Sequence, residues 1–139
     1  MKKLLVLLLT SFLLIFLSAC TGYSSTPIEP NENNMIITIK NNADFDFYGL
    51  EAKILNHSPS IVNADGSKVE KGQSLRFELL QEDVALDGKE IEVEVGILND
   101  KQDIVQINKK VTLALVNNKE VFFELTGESI NNAVLKRVE

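Results

Sequence analysis

From Met35 onward, apolar and polar residues alternate with a period of two, and no segment carries a stripe repeating every 3.6 residues. The clearest run is 90–98, where Ile91, Val93, Val95 and Ile97 alternate with Glu90, Glu92, Glu94 and Gly96. Successive side chains of a strand point to opposite faces, so this run has one apolar and one acidic face. The same rule predicts strands at 35–40, at 45–56 with Tyr48, Leu50, Ala52 and Ile54 on one face, and at 74–81 with Leu75, Phe77 and Leu79 inward. Further strands are expected at 104–107, 111–116 and 121–126, while 133–138 fits either a last strand or a short helix. Gly49, inside the second run, signals a bulge or bend.

Turn chemistry separates the runs. Asp65-Gly66, Asp87-Gly88 and Asn99-Asp100 are strong breakers, and Asn117-Asn118 fits a two-residue hairpin turn with positive φ. Seven to eight short, half-buried strands at this spacing predict an all-β antiparallel sandwich, with a small barrel as the lesser alternative. Phe122 and Phe123 are adjacent, so a regular strand sends one into the core and leaves the other on the outer face or under another element. Phe45, Phe47 and Tyr48 pose the same problem, answered by partial cover of both faces or by an exposed aromatic patch.

The first 19 residues break this pattern. Lys2 and Lys3 precede an uncharged apolar run from Leu4 to Leu17, followed by the small residues Ser18 and Ala19. Fourteen helical residues span about 21 Å, short of a hydrocarbon core of about 30 Å, so the run reads as an export signal and not as a membrane span. Leu17-Ser18-Ala19-Cys20 resembles the bacterial lipobox. That resemblance implies a diacylglycerol on the Cys20 thiol, cleavage just before it, and an acylated Cys20 as first residue. Two or more acyl chains anchor a protein stably where one holds it marginally. The expected location is the extracytoplasmic face of the cell membrane.

Residues 20–34 place the lipidated cysteine ahead of a polar stretch rich in breakers, read as a flexible tether to a domain over 35–139. The processed chain resembles the small extracytoplasmic lipoproteins of Gram-positive, Bacillus-type bacteria that carry an immunoglobulin-like sandwich. The resemblance rests on the lipobox, on Asn63-Ala64-Asp65-Gly66-Ser67 followed by Lys71-Gly72, and on the closing Phe122-Phe123-Glu124-Leu125-Thr126-Gly127. The Cys…Trp…Cys signature of antibody domains is absent, since the chain has no tryptophan and one cysteine. A sandwich by itself implies no activity.

Charge narrows the partners. The chain has a formal charge of −6, and loss of Lys2 and Lys3 with the leader takes it to −8. Such a surface repels nucleic acid and anionic lipid, so the expected partners are the membrane through acylated Cys20 and a protein of the envelope. With Cys20 acylated no thiol remains for disulfide or thiolate chemistry.

Candidate chemistry is sparse. Asp44-Phe45-Asp46-Phe47-Tyr48-Gly49 imitates the start of a calcium loop, but Tyr48 and Leu55 occupy the fifth and twelfth positions, where oxygen ligands belong. A composite calcium site could use Asp44, Asp46, Asp65, Asp83 and Asp87 from loops meeting at one end of a sandwich, although aspartate also serves turns. His57 is the only histidine, too few for a zinc site that needs three or four protein ligands. Ser58, Ser60, Ser67 and Ser74 are formal triad partners, none in a Gly-x-Ser-x-Gly elbow. Glu92 and Glu94 share a strand face as the solvated side of a sheet. These residues predict a non-enzymatic chain with no cofactor, acting as a binding or interaction module; a solute- or calcium-capture protein is the alternative.

Overall fold

The residues described by the computed structural model, 27–138, form nine strands and one 3-10 turn. In order these are β1 (Asn34–Asn41), β2 (Gly49–Lys53), β3 (Ser60–Val62), β4 (Ser74–Leu80), β5 (Asp87–Leu98), β6 (Ile104–Gln106), β7 (Val111–Val116), β8 (Lys119–Thr126), the turn Ile130–Asn132, and β9 (Val134–Val138). One sheet runs β4-β1-β8-β9; the other runs β3-β2-β5, with β6 and β7 both paired to β5. The chain is an all-β sandwich, and its last segment is a strand. Most pairs are antiparallel, but β1 and β8 run parallel in the register Ile37↔Val121 and Ile39↔Phe123. Among the described residues no helix is long and apolar enough to cross a membrane.

The period-two pattern becomes the core directly. Met35, Ile37 and Ile39 of β1 stand beside Leu79, Phe77 and Leu75 of β4, and Val121, Phe123 and Leu125 of β8 continue the layer. Facing them are Leu50 and Ala52 of β2, Val93, Val95 and Ile97 of β5, and Leu113 and Leu115 of β7. Each fully buried large side chain contributes about 1.5–3 kcal/mol relative to exposure. Phe123 is buried and Phe122 is 46% exposed, as their adjacency requires.

Register explains β6 and β7. Ile107 donates to the Val95 carbonyl at 2.9 Å, and Val111 stands opposite Val93. Glu94 therefore faces 108–110, a two-residue excess on that side. β6 and β7 are one strand broken by a special bulge of two extra residues along a single edge of β5.

Several expectations change. The second strand is shorter than 45–56, because 43–48 carries the chain from one sheet to the other. Its backbone is spent on that crossing: Asp44 donates to the Gly127 carbonyl at 2.8 Å and Tyr48 to the Leu98 carbonyl at 2.9 Å. Phe47 turns wholly inward there, and its carbonyl accepts from the Val69 N–H at 2.8 Å. Gly49 is no bulge. It opens β2 where β3 comes so close that an added Cβ would lie 2.5 Å from the Ile61 carbonyl oxygen. Asp87-Gly88 is not a turn between strands but an irregularity at the start of β5, with Gly88 at φ +84°. Asn118 has the positive φ expected of it, 54°, but Asn117-Asn118 joins β7 in one sheet to β8 in the other and closes no hairpin. The body also begins before Met35. Asn34 opens β1, its N–H donates to the Asn31 carbonyl at 3.2 Å, and that carbonyl also accepts from Asn118 at 2.8 Å. The end of the sandwich holding Asn31 is called the entry end below, and the opposite one the far end.

Candidate functional site

The five loop aspartates do not converge. Asp44, Asp46 and Asp65 lie beyond the close of β1 at the far end, while Asp83 and Asp87 follow β4 and open β5 at the entry end. The eight residues of β1 separate the two groups by about 25 Å. At the far end Lys68 Nζ stands 3.2 Å from Asp46 Oδ1, and Lys71 pairs with Asp44. Asp65 accepts from the Ser67 N–H at 3.0 Å in a local turn, and its hydrogen bonds to Ser67 hold its carboxyl below the usual range. Asp87 pairs with Lys89 at 2.7 Å. Among the described residues no three His, Cys, Asp or Glu side chains are placed to hold a metal ion. Asp44, Asp46 and Asp87 are paired with lysines, and Asp65 serves a turn.

His57 sits at a shallow cleft of about 280 Å³ at the entry end, between the β2–β3 connection and β4. Ser58, Glu78 and Asp83 add polar walls, and Leu79 and Val84 an apolar floor. Local geometry puts His57 there: Leu55 adopts φ 53°, and Ile54 and His57 exchange backbone hydrogen bonds at 2.8 and 2.9 Å. Glu78 is already engaged, accepting from Asn34 Nδ2 at 2.7 Å. Among the described residues no hydrogen bond links Ser58, His57 and Asp83 in the order a nucleophilic triad requires.

The outer face of the first sheet is more organised than its sequence suggests. Asn34, Ile36 and Thr38 point away from the core, yet all three are buried. Their cover is a polar clasp across β1: Arg76 Nη2 of β4 meets Glu120 Oε1 of β8 at 3.0 Å, and Thr38 Oγ1 donates to the same oxygen at 2.6 Å. The two ends of this pair are 27% and 18% exposed, so it is shielded beyond what a surface pair enjoys. Beside it Phe122 and Val138, directly opposed in register, form a small exposed apolar pair.

On the second sheet, Lys110 of the bulge clips the acidic face, lying 2.9 Å from Glu94 and 3.2 Å from Glu92. Hydrogen bonding to Lys110 holds the Glu94 carboxyl below the usual range, and the two glutamates raise the Lys110 ammonium. Glu92 and Glu94 are thus a solvated, lysine-paired strip that lines, with Lys53, Leu55 and Ile91, an open depression of about 350 Å³.

One feature escaped the reading of single residues: the free edge of β7. β5 is the only strand paired with it among the described residues. Its sequence is Val-Thr-Leu-Ala-Leu-Val, with no charge, proline or glycine. The absence of charge was legible; that this strand lies at an edge was not. Cys20, the leader and the first part of the tether lie outside the described residues.

Comparison with protein-family models, with curated proteins and with solved structures returned no match to this chain.

Proposed function

We propose that the chain is a lipid-anchored lipoprotein of the extracytoplasmic membrane face whose immunoglobulin-like sandwich is a non-catalytic interaction module. The observation that carries this is the lipobox-like Leu17-Ser18-Ala19-Cys20, only nine residues ahead of Glu29, whose carbonyl accepts from Asn34 Nδ2 at 3.3 Å. Nine extended residues span at most about 30 Å, so an acylated Cys20 keeps the entry end near the lipid and turns the far end outward. That entry end carries Glu29, Glu32, Glu82, Asp83 and Asp87, and an acidic end is repelled by anionic headgroups, leaving the acyl chains as the attachment. The interaction role is supported by an apolar strand edge with no further strand on it among the described residues, the feature through which β-proteins commonly take up partners. Capture of calcium is less well supported, because Asp44 and Asp46 are spent on lysines.

The test is fractionation of cells expressing the parent or Cys20→Ala. The parent should sediment with membranes and incorporate labelled fatty acid; the variant should do neither. A variant that still sediments, beside a parent that takes no label, would overturn the anchor.

A further inference from the structure

We infer that the free edge of β7 takes up an extended acidic segment of a partner protein as an added strand. The inference rests on the interaction reading above and supplies its site and the chemistry of its partner.

Backbone parity defines the edge. Because Ile107 donates to Val95, the odd residues of β5 turn their N–H and C=O toward β6 and β7. Opposite them in β7 stand Val111 and Leu113. Thr112, Ala114 and Val116 therefore present their backbone groups outward, and none of these groups takes part in the loop hydrogen bonds of the described residues. The other edges are blunted. β4 carries Arg76 and Glu78, β9 carries Lys136 and Arg137, and β3 and β6 are three residues long. Of the edge strands among the described residues, only β7 offers a six-residue uncharged run. Natural sheets protect edges by charge or brevity, and this one has neither.

Charge sets the partner's chemistry. Twelve lysines and arginines lie among the described residues, and five of them are in ion pairs. Of the seven outside ion pairs, four stand on this flank: Lys109 just before β7, Lys119 just after it, and Lys136 and Arg137 on β9. Four of these seven cations thus stand on the flank of the one long uncharged edge among the described residues, while β5 sets Glu92 and Glu90 opposite Thr112 and Ala114 along the middle of that edge. An added strand gains backbone hydrogen bonds from the edge, and acidic ends on it would meet Lys109 and Lys119. A second copy fits less well. Antiparallel pairing of β7 with itself would turn one copy's entry end away from the membrane that anchors the other.

The probe is a blocked peptide of alternating threonine and valine with two glutamates at each end, beside the same core ended in lysines. Both are titrated into the full-length protein, isotopically labelled and held in detergent. The acidic peptide should protect the Thr112, Ala114 and Val116 amides from exchange and bind roughly tenfold or more tightly than the basic one. Ala114→Pro removes an outward N–H and leaves the β5 ladder intact, so it should abolish binding while the protein stays folded with a melting temperature lowered by no more than a few degrees; Thr112→Pro is the second such variant. Equal binding of both peptides, no protection of these amides, or undiminished binding to both proline variants would overturn the inference. So would amides already protected in the protein alone, whether with concentration dependence (a second copy) or without it (the chain's own N-terminal segment). Peptide binding does not depend on Cys20, so Cys20→Ala separates this outcome from that of the anchor.

Discussion

The two flanks of the sandwich treat their exposed strands differently. On one, β3 lies against β4, and both outward strands are short or charged. On the other, β6, β7 and β9 are outermost, and β7 has no charge along its length. The difference extends one strand inward. Gly49 of β2 lets β3 approach through its own backbone, because a Cβ there would meet the Ile61 carbonyl oxygen at 2.5 Å. Gly96 of β5 instead makes room for side chains, with Ile104 Cγ2 at 2.4 Å and Gln106 Nε2 at 2.9 Å from the missing Cβ. One flank is fixed by main chain against main chain. The other is filled by side chains that can move, and it leaves a strand for something else to pair with. A sandwich can therefore be closed along one flank and keep an uncharged strand edge along the other without any change in its core.

The largest expected effect breaks the open flank from within. Leu113→Pro removes a buried side chain and a ladder hydrogen bond to β5, and should cost about 3–5 kcal/mol in denaturant unfolding. Ala114→Pro, one residue on, should cost less than about 1 kcal/mol. Equal costs would mean that the backbone parity of β7 is reversed.

Next come the two glycines. Gly49→Ala should cost about 1–3 kcal/mol, since the Ile61 backbone cannot give way. Gly96→Ala should cost less, about 1 kcal/mol, since half-exposed Ile104 can change its χ1 rotamer into solvent and Gln106 can swing aside. The reverse ranking in chemical denaturation would sink the contrast between main-chain and side-chain closure.

Arg76→Ala opens the clasp over β1 and leaves the Glu120 carboxylate and Thr38 hydroxyl short of a partner, for a loss of about 1–2 kcal/mol. A double-mutant cycle with Glu120→Gln should return a coupling of about 1 kcal/mol, and additive losses would show the clasp to be ornamental.

The smallest effect is in pH. Lysine partners hold the carboxyls of Asp87 and Glu94 below their ordinary values of 3.8 and 4.5. A carboxyl lowered on folding adds stability that is complete above its ordinary pKa and lost as pH falls through the lowered one. Acidification from neutral through pH values below 4 should therefore reduce the melting temperature of the parent slightly more than that of Glu94→Gln, and identical slopes would show that the Lys110 clip contributes nothing to stability.

The strands were legible because a half-buried strand must alternate, and 111–116 coincides with β7 residue for residue. β3 was missed: Ser60-Ile61-Val62 is too short to show a period, and it is a strand only because Gly49 admits it. The candidate aspartates were legible as turn residues, but no local pattern places two loops at the same end of a body. That depends on which way each strand runs.

The sequence by itself determined that the described body is β, which residues of each strand face inward, and that Cys20 is the only cysteine. Tertiary structure alone decided the partners: that β1 runs parallel to β8, that β6 and β7 are one broken strand, that Asp44 and Asp83 stand at opposite ends, and that the uncharged strand is the outermost one. The physical reason is range. Side-chain alternation is a property of neighbouring residues, whereas pairing joins residues as distant as Ile37 and Val121, whose contact exists only once two hydrophobic faces have closed on each other.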